Sequence, residues 1–219
     1  MNRRHDIDAL RALAFGLVIL YHVAMYYVAG WHWHLKSPHA AWMAALLFMT
    51  TPLLYLGAQT AAIDALPVAG MVLMARDRNG PAIAAQILIC PMLDHRNTTP
   101  SSRQFAGEPG VWTREKNLFA WQAVLKGQED GVSSYVSPAL ETDLAGLPTT
   151  YIDAGTAEVF RDEDVAYASQ IWAAGGQAEL HVWAGGFHGF DALFPHADIS
   201  MAARAARSAW LARVLARMA

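Results

Sequence analysis

The chain has 219 residues, enough for one substantial core or for a small domain behind a membrane segment. A formal net charge of -3 and a pI near 6.3 leave no basic footprint for nucleic acid, and the single cysteine, Cys90, excludes an internal disulfide and any cysteine cluster for zinc or iron-sulfur. Hydrophobic residues at 54% against charged residues at 16% are apolar for a soluble domain, where roughly 45 to 50% and 25% are usual, and the excess lies mainly in the first sixty residues.

Residues 12–29, "ALAFGLVILYHVAMYYVA", carry no formal charge, and their 18 positions are near the lower limit for crossing a bilayer core. Residues 40–63 are again without a charge and long enough for a second span, kinked at Pro52. The pair predicts an apolar helical hairpin. Arg3, Arg4 and Arg11 precede it and only Lys36 is formally cationic in the connection. The positive-inside bias then places everything after Asp64 in the cytoplasm, attached to the inner membrane. A cleavable signal peptide does not fit, because the apolar core is long and no small-x-small site follows it. The competing reading is two buried helices of a soluble cytoplasmic protein. In the connection, "WHWH" sets His32 and His34 on one face of an extended segment, but two ligands without a third do not make a metal site. An interfacial tryptophan belt accounts for the same residues, and no metal or cofactor is expected.

From Asp64 the pattern changes to alternating helix-like and strand-like segments. Asp64 is expected to cap a helix through "ALPVAGMVLMARDR", with Pro67 in its first turn and "NGP" ending it. "AAQILIC" suits a short strand covered on both faces. The loop-rich stretch 94–147 holds one amphipathic helix near 113–126, with Leu118, Trp121 and Leu125 on one side, as a cap over a site would. "TTYIDAG" is the next strand, "DEDVAYASQIWAAGG" a helix capped by Asp162 and stopped by Gly175 and Gly176, and "AELHVW" the last strand. A helix over 199–218, with Leu211, Leu215 and Met218 on one stripe, closes the chain. Strands alternating with helices indicate an α/β class with a parallel sheet flanked on both faces.

In such a sheet, reactive groups collect in loops at the carboxyl ends of the strands. Two of those loops carry ionisable groups: "TAEVFRDED" with Glu158, and the glycine turn "AGGFHGFD" with His188. A carboxylate meeting an imidazole from the neighbouring strand end is the acid-base pair of a nucleophilic triad, in which the carboxylate fixes the tautomer and stabilises the imidazolium. The ordinary alternatives are that Glu158 pairs with Arg161 and that His188 is a loop residue.

The second half resembles the carboxyl-terminal half of the α/β-hydrolase esterases of the hormone-sensitive-lipase family. The resemblance is carried by "LMARDRNGPAIAAQILICPMLDHR", "TPSSRQF", "VWTREKN", "YVSPALETDLAGLPTTYIDAGTAEVFRDED" and "AELHVWAGGFHGFD". It implies a partial α/β-hydrolase fold over 64–219, short acyl esters as substrates, His188 as triad base and Glu158 as triad acid, with "EVFRDE" where most of the family has "DPLRDE". The family's nucleophile is a serine in a GxSxG turn before the first of these helices, with an HGG loop as oxyanion donor; neither motif occurs here. One alignment puts the serine position at Ala62; reading "LLYLGAQTA" as strand and elbow puts Gln59 there, with Thr60 as the only hydroxyl nearby. Loss of the serine leaves about 10³ to 10⁴-fold over water, so the chain alone is expected to be nearly inert.

Residues 1–63 resemble a different family. "DIDALRALA", the Arg-x10-His spacing from Arg11 to His22, and "TPLLYLG" are similar to the first two spans of the integral-membrane acyltransferases of acyltransferase family 3. That resemblance implies a role for Arg11 and His22 in acyl transfer, and an intramembrane histidine is costly unless partnered. Both resemblances break near 58–68. The expectation is a fusion of two incomplete pieces, with the amino-terminal helices, lipid or a second copy covering the apolar sheet edge left by missing strands.

Overall fold

The computed structural model describes residues 61–107, 110–125 and 130–218. The hairpin predicted over 12–63 lies outside them apart from its last three residues, and so do Arg11, His22, Gln59 and Thr60. Among the described residues no helix is long and apolar enough to cross a membrane.

The elements run in the order α1 (Ala61–Asp77), β1 (Ala85–Ile89), α2 (Pro100–Gln104), α3 (Arg114–Leu125), β2 (Thr149–Ala157), α4 (Arg161–Ala173), β3 (Ala178–Phe187), α5 (Phe190–Leu193) and α6 (Asp198–Met218). All three predicted strands form, and they make one parallel sheet of order β1-β2-β3. Apolar residues on both faces of β1 explain why helices cover it twice. Leu88 packs with Val68, Val72 and Leu73 of α1 and with Tyr167 and Ile171 of α4, while Ala85 and Ile87 pack with Trp210 and Val214 of α6. The polar exception on β1, Gln86, is fully buried and donates to Thr150 Oγ1 at 2.8 Å.

Several helix details differ from the sequence expectations. Asp64 lies inside α1 and does not cap it, because the helix already runs from Ala61. Asp162 sits in the first turn of α4 and accepts from the Ser101 amide at 2.7 Å, tying α2 to α4 in place of capping its own helix. On α3 the buried face is Asn117, Ala120, Trp121 and Leu125, and Leu118 is exposed. On α6 the buried face is Ser200, Ala203, Trp210 and Val214, leaving Leu211, Leu215 and Met218 in solvent. The helix turns its bulkiest indole inward, and Trp210 and Val214 at i, i+4 carry the contact with Tyr151. Gly175 and Gly176 do end α4: Gly175 holds φ 79°, and the two amides donate to Trp172 O and Ile171 O at 3.0 and 2.9 Å.

Candidate active site

Strands β2 and β3 pair in register from Thr150↔Ala178 to Gly155↔Trp183, then slip to Ala157↔Phe187. The glycines cause the slip. A Cβ on Gly155 would stand 2.0 Å from Gly186 O, so the two backbones pass closer than any side chain allows, and Gly185 bends through φ 79°. The Gly185 amide then donates to Thr156 Oγ1 at 2.8 Å, fixing the bulge. Beyond it each chain throws one functional side chain inward: Glu158 one residue after β2, His188 one residue after β3.

The two meet. His188 Nδ1 lies 2.8 Å from Glu158 Oε2, and both side chains are withdrawn from solvent, at 1% and 0% relative exposure. With the proton on Nδ1 the ring donates to the carboxylate; the other carboxylate oxygen accepts from the Gly155 amide at 3.2 Å. Both Glu158 oxygens are thereby held, which sets the ring orientation and the tautomer. Arg161 is not the partner of Glu158: it pairs with Asp162 at 2.8 Å and donates to Thr156 O and Gln104 Oε1. His188 Nε2 is buried and has no hydrogen-bond partner among the described residues, so the lone pair a general base uses is the one not engaged.

The walls are aromatic. Trp112 and Phe160 lie 5.6 and 5.5 Å from the His188 ring, centroid to centroid, and belong to an apolar cluster with Met92, Trp121, Leu125 and Val159. The loop-rich stretch between β1 and β2 thus contributes Trp112 to the site, and Phe160 follows β2. Neither Trp112 nor Phe160 was singled out from the sequence, since an aromatic in a polar loop gives no signal of which ring it will stack beside. Cys90, which follows β1, is the other addition. Its sulfur, a Glu158 oxygen and a His188 nitrogen all lie within 4.8 Å of one another, and all three residues are buried. Burial pushes the Cys90 thiol well above its ordinary value, and the negative charge of Glu158 adds to the effect.

The neighbouring carboxyls serve the frame. Glu163 Oε1 accepts from the Leu93 and Asp94 amides at 2.7 and 3.1 Å, anchoring the turn after β1. Asp153 is clamped by Arg207 at 2.9 Å, and Arg207 reaches Asp191 at 3.1 Å. Burial raises the Asp153 carboxyl while Arg207 pulls it back. Of the positions considered for a nucleophile, Ala62 falls in the first turn of α1.

A family profile for the alpha/beta hydrolase fold matches residues 67–192, more than half of the chain. Among curated proteins, the chain is 29% identical to Esterase LipU of Mycobacterium tuberculosis over 116 residues, covering 51% of this chain and 39% of that one. It is 30% identical over 120 residues to Carboxylic ester hydrolase LipN of the same organism, covering 55% and 32%. Among solved structures, esterase LipW of Mycobacterium marinum superposes with a TM-score of 0.65 at 34% identity, over 69% of this chain and 47% of that one. A bacterial heroin esterase gives 0.61, also at 34%, over 66% and 46%. The chain therefore spans less than half the length of these relatives.

Proposed function

The chain belongs to the alpha/beta hydrolase fold family, and from that premise we propose that residues 64–219 carry the base and acid of a carboxylic-ester hydrolase for short acyl esters. The observation that supports this most is the buried 2.8 Å contact between His188 Nδ1 and Glu158 Oε2, with Nε2 unengaged. In the reaction, Nε2 takes the proton of an attacking hydroxyl and later returns it to the leaving alcohol, while Glu158 stabilises the imidazolium formed in between. The aromatic walls lower the local dielectric and strengthen that ion pair while it exists.

The nucleophile is what this chain lacks. GxSxG and HGG are absent from its sequence, and the candidate elbow positions hold Gln59, Thr60 and Ala62. An alanine offers no attacking atom, a carboxamide is not a nucleophile, and the methyl of a threonine crowds a strained elbow. The residual rate of about 10³ to 10⁴-fold over water that survives loss of the serine depends on an oxyanion hole, and with the HGG loop absent as well the chain by itself is nearly inert as an esterase. Hydrolysis of p-nitrophenyl acetate and butyrate tests this: turnover at ordinary enzyme rates, lost in both His188→Ala and Thr60→Ala, would overturn the missing-nucleophile part. Association with a membrane is supported by the uncharged runs 12–29 and 40–63. Purification in the aqueous phase without detergent would remove it and leave the cytoplasmic alternative.

A further inference from the structure

We infer that Cys90, Glu158 and His188 form a binding site for a thiophilic divalent cation of the zinc class, in which the ion takes the place of the proton now shared between His188 and Glu158. Three observations carry the inference. The three ligand atoms converge to within 4.8 Å of one another, each from a different strand end, and the nitrogen and oxygen of the His188–Glu158 contact are already 2.8 Å apart. A tetrahedral zinc site asks for ligand separations of about 3.4 to 3.6 Å, so the His188–Glu158 pair opens by roughly 0.6 Å as the proton between them leaves, and the sulfur approaches by turning its single side-chain torsion. Next to Cys90 and Glu158 is a void of about 10 Å³, also bounded by Asp153 and Asp191, which is room for one water as fourth ligand. Finally, Cys90 holds φ 39°, a conformation that a non-glycine residue keeps only when its surroundings impose it, and one found disproportionately at functional sites.

Charge and softness select the ion. A thiolate and a carboxylate offset two positive charges, so the loaded cluster is neutral, which a dry interior tolerates where it rejects an isolated thiolate. Sulfur and imidazole ligands favour zinc over magnesium or calcium. Binding releases one proton, that of the Cys90 thiol. The imidazole loses none: its proton moves from Nδ1 to Nε2 as the Nδ1 lone pair turns to the metal. In that state Nε2 is a donor and cannot accept a proton from a hydroxyl, so metal occupancy and general-base action exclude each other. That consequence rests on the ester-hydrolase reading; the binding does not. Cys90 is not the missing nucleophile, because its side chain is buried and burial pushes the thiol well above its ordinary value, away from the reactive thiolate.

The chain has one cysteine, so a thiolate-to-metal charge-transfer band reports Cys90 alone. Metal-free full-length protein is titrated with Co²⁺ and then with Zn²⁺. Expected are a near-ultraviolet thiolate band saturating at one cobalt per chain, the strong visible absorption of four-coordinate cobalt, displacement of both by zinc, and one proton released per metal. Cys90→Ala should lose the band while still melting cooperatively. Absence of a thiolate band in the native protein overturns the proposal whatever the variant does, including the case in which metal binds elsewhere, for example at His32 and His34. Ester hydrolysis is not needed for this readout, so an inert esterase and a failed metal site are told apart.

Discussion

Gly155→Ala is the sharpest test of how Glu158 and His188 are brought together. The added methyl would stand 2.0 Å from Gly186 O and 2.4 Å from its carbonyl carbon, both backbone atoms of the neighbouring strand. Side chains can rotate away from an intruding methyl, but a paired strand cannot, so the β2–β3 bulge has to open. Overpacking of this kind costs about 1 to 3 kcal/mol, and the rigidity of the obstacle puts the expected value at the upper end, about 3 kcal/mol. For a domain of this size, at roughly 2 to 4 °C per kcal/mol, the thermal midpoint should fall by about 6 to 12 °C. The same opening moves Glu158 away from His188, so the downfield imidazole N–H resonance of a hydrogen-bonded His188 should disappear in proton NMR. Gly175→Ala is the control: its φ of 79° is unfavourable for alanine, but nothing lies within 4 Å of the new methyl. It should lose about 1 to 2 kcal/mol from backbone conformation alone and keep the His188 resonance. If Gly155→Ala melts with the wild type and retains that resonance, the close approach is not what positions the pair.

In Glu158→Gln, the amide NH₂ meets either the Gly155 N–H or the His188 Nδ1–H as donor against donor, unless the imidazole proton moves to Nε2, where it is buried without an acceptor. A loss of about 1 to 3 kcal/mol is expected in chemical denaturation, and an unchanged midpoint would mean the carboxylate is not held as described. Asp164 has both carboxyl oxygens buried without partners, and burial holds its folded pKa well above the ordinary carboxylate value. A raised folded pKa means the wild type is penalised as pH rises from the unfolded value toward the folded one. Asp164→Asn should therefore melt higher than the wild type at pH 7, with the advantage vanishing below the ordinary carboxylate range; an advantage that grows on acidification would reverse the sign and refute the assignment. On α6, Trp210→Ala should cost about 3 to 5 kcal/mol and Leu215→Lys less than about 0.5 kcal/mol, read in paired urea titrations; equal effects would mean the helix presents a different face to the sheet.

The glycine turn and the "EVFRDE" segment were legible as strand-end loops because the strand-like runs before them, "AELHVW" and "TTYIDAG", give way to glycine and charge. Taken singly, each residue also admits an ordinary loop role, and it is the resemblance to the esterase family that implies His188 and Glu158 as one pair. The helix faces were less legible. Leu118 and Leu211, Leu215 and Met218 satisfy an apolar stripe as well as the residues actually buried, since a helix with large residues on two adjacent faces has no unique inward direction until something is packed on it. Asp162 illustrates the same limit for polar residues: its type and position suit a cap, and only the arrival of Ser101 on α2 gives it a better donor.

Local patterning, by itself, determined three strands, the helices between them and the two strand-end loops that carry Glu158 and His188. Those features depend on periodicity and on backbone-permissive residues, and both are written in short windows of sequence. The tertiary structure decided which groups lie against that pair: Cys90 from the end of β1, and Trp112 and Phe160 as walls. Their distances from Glu158 and His188 follow from strand order, register and the backbone contact at Gly155 and Gly186, and these are set by packing between segments tens of residues apart.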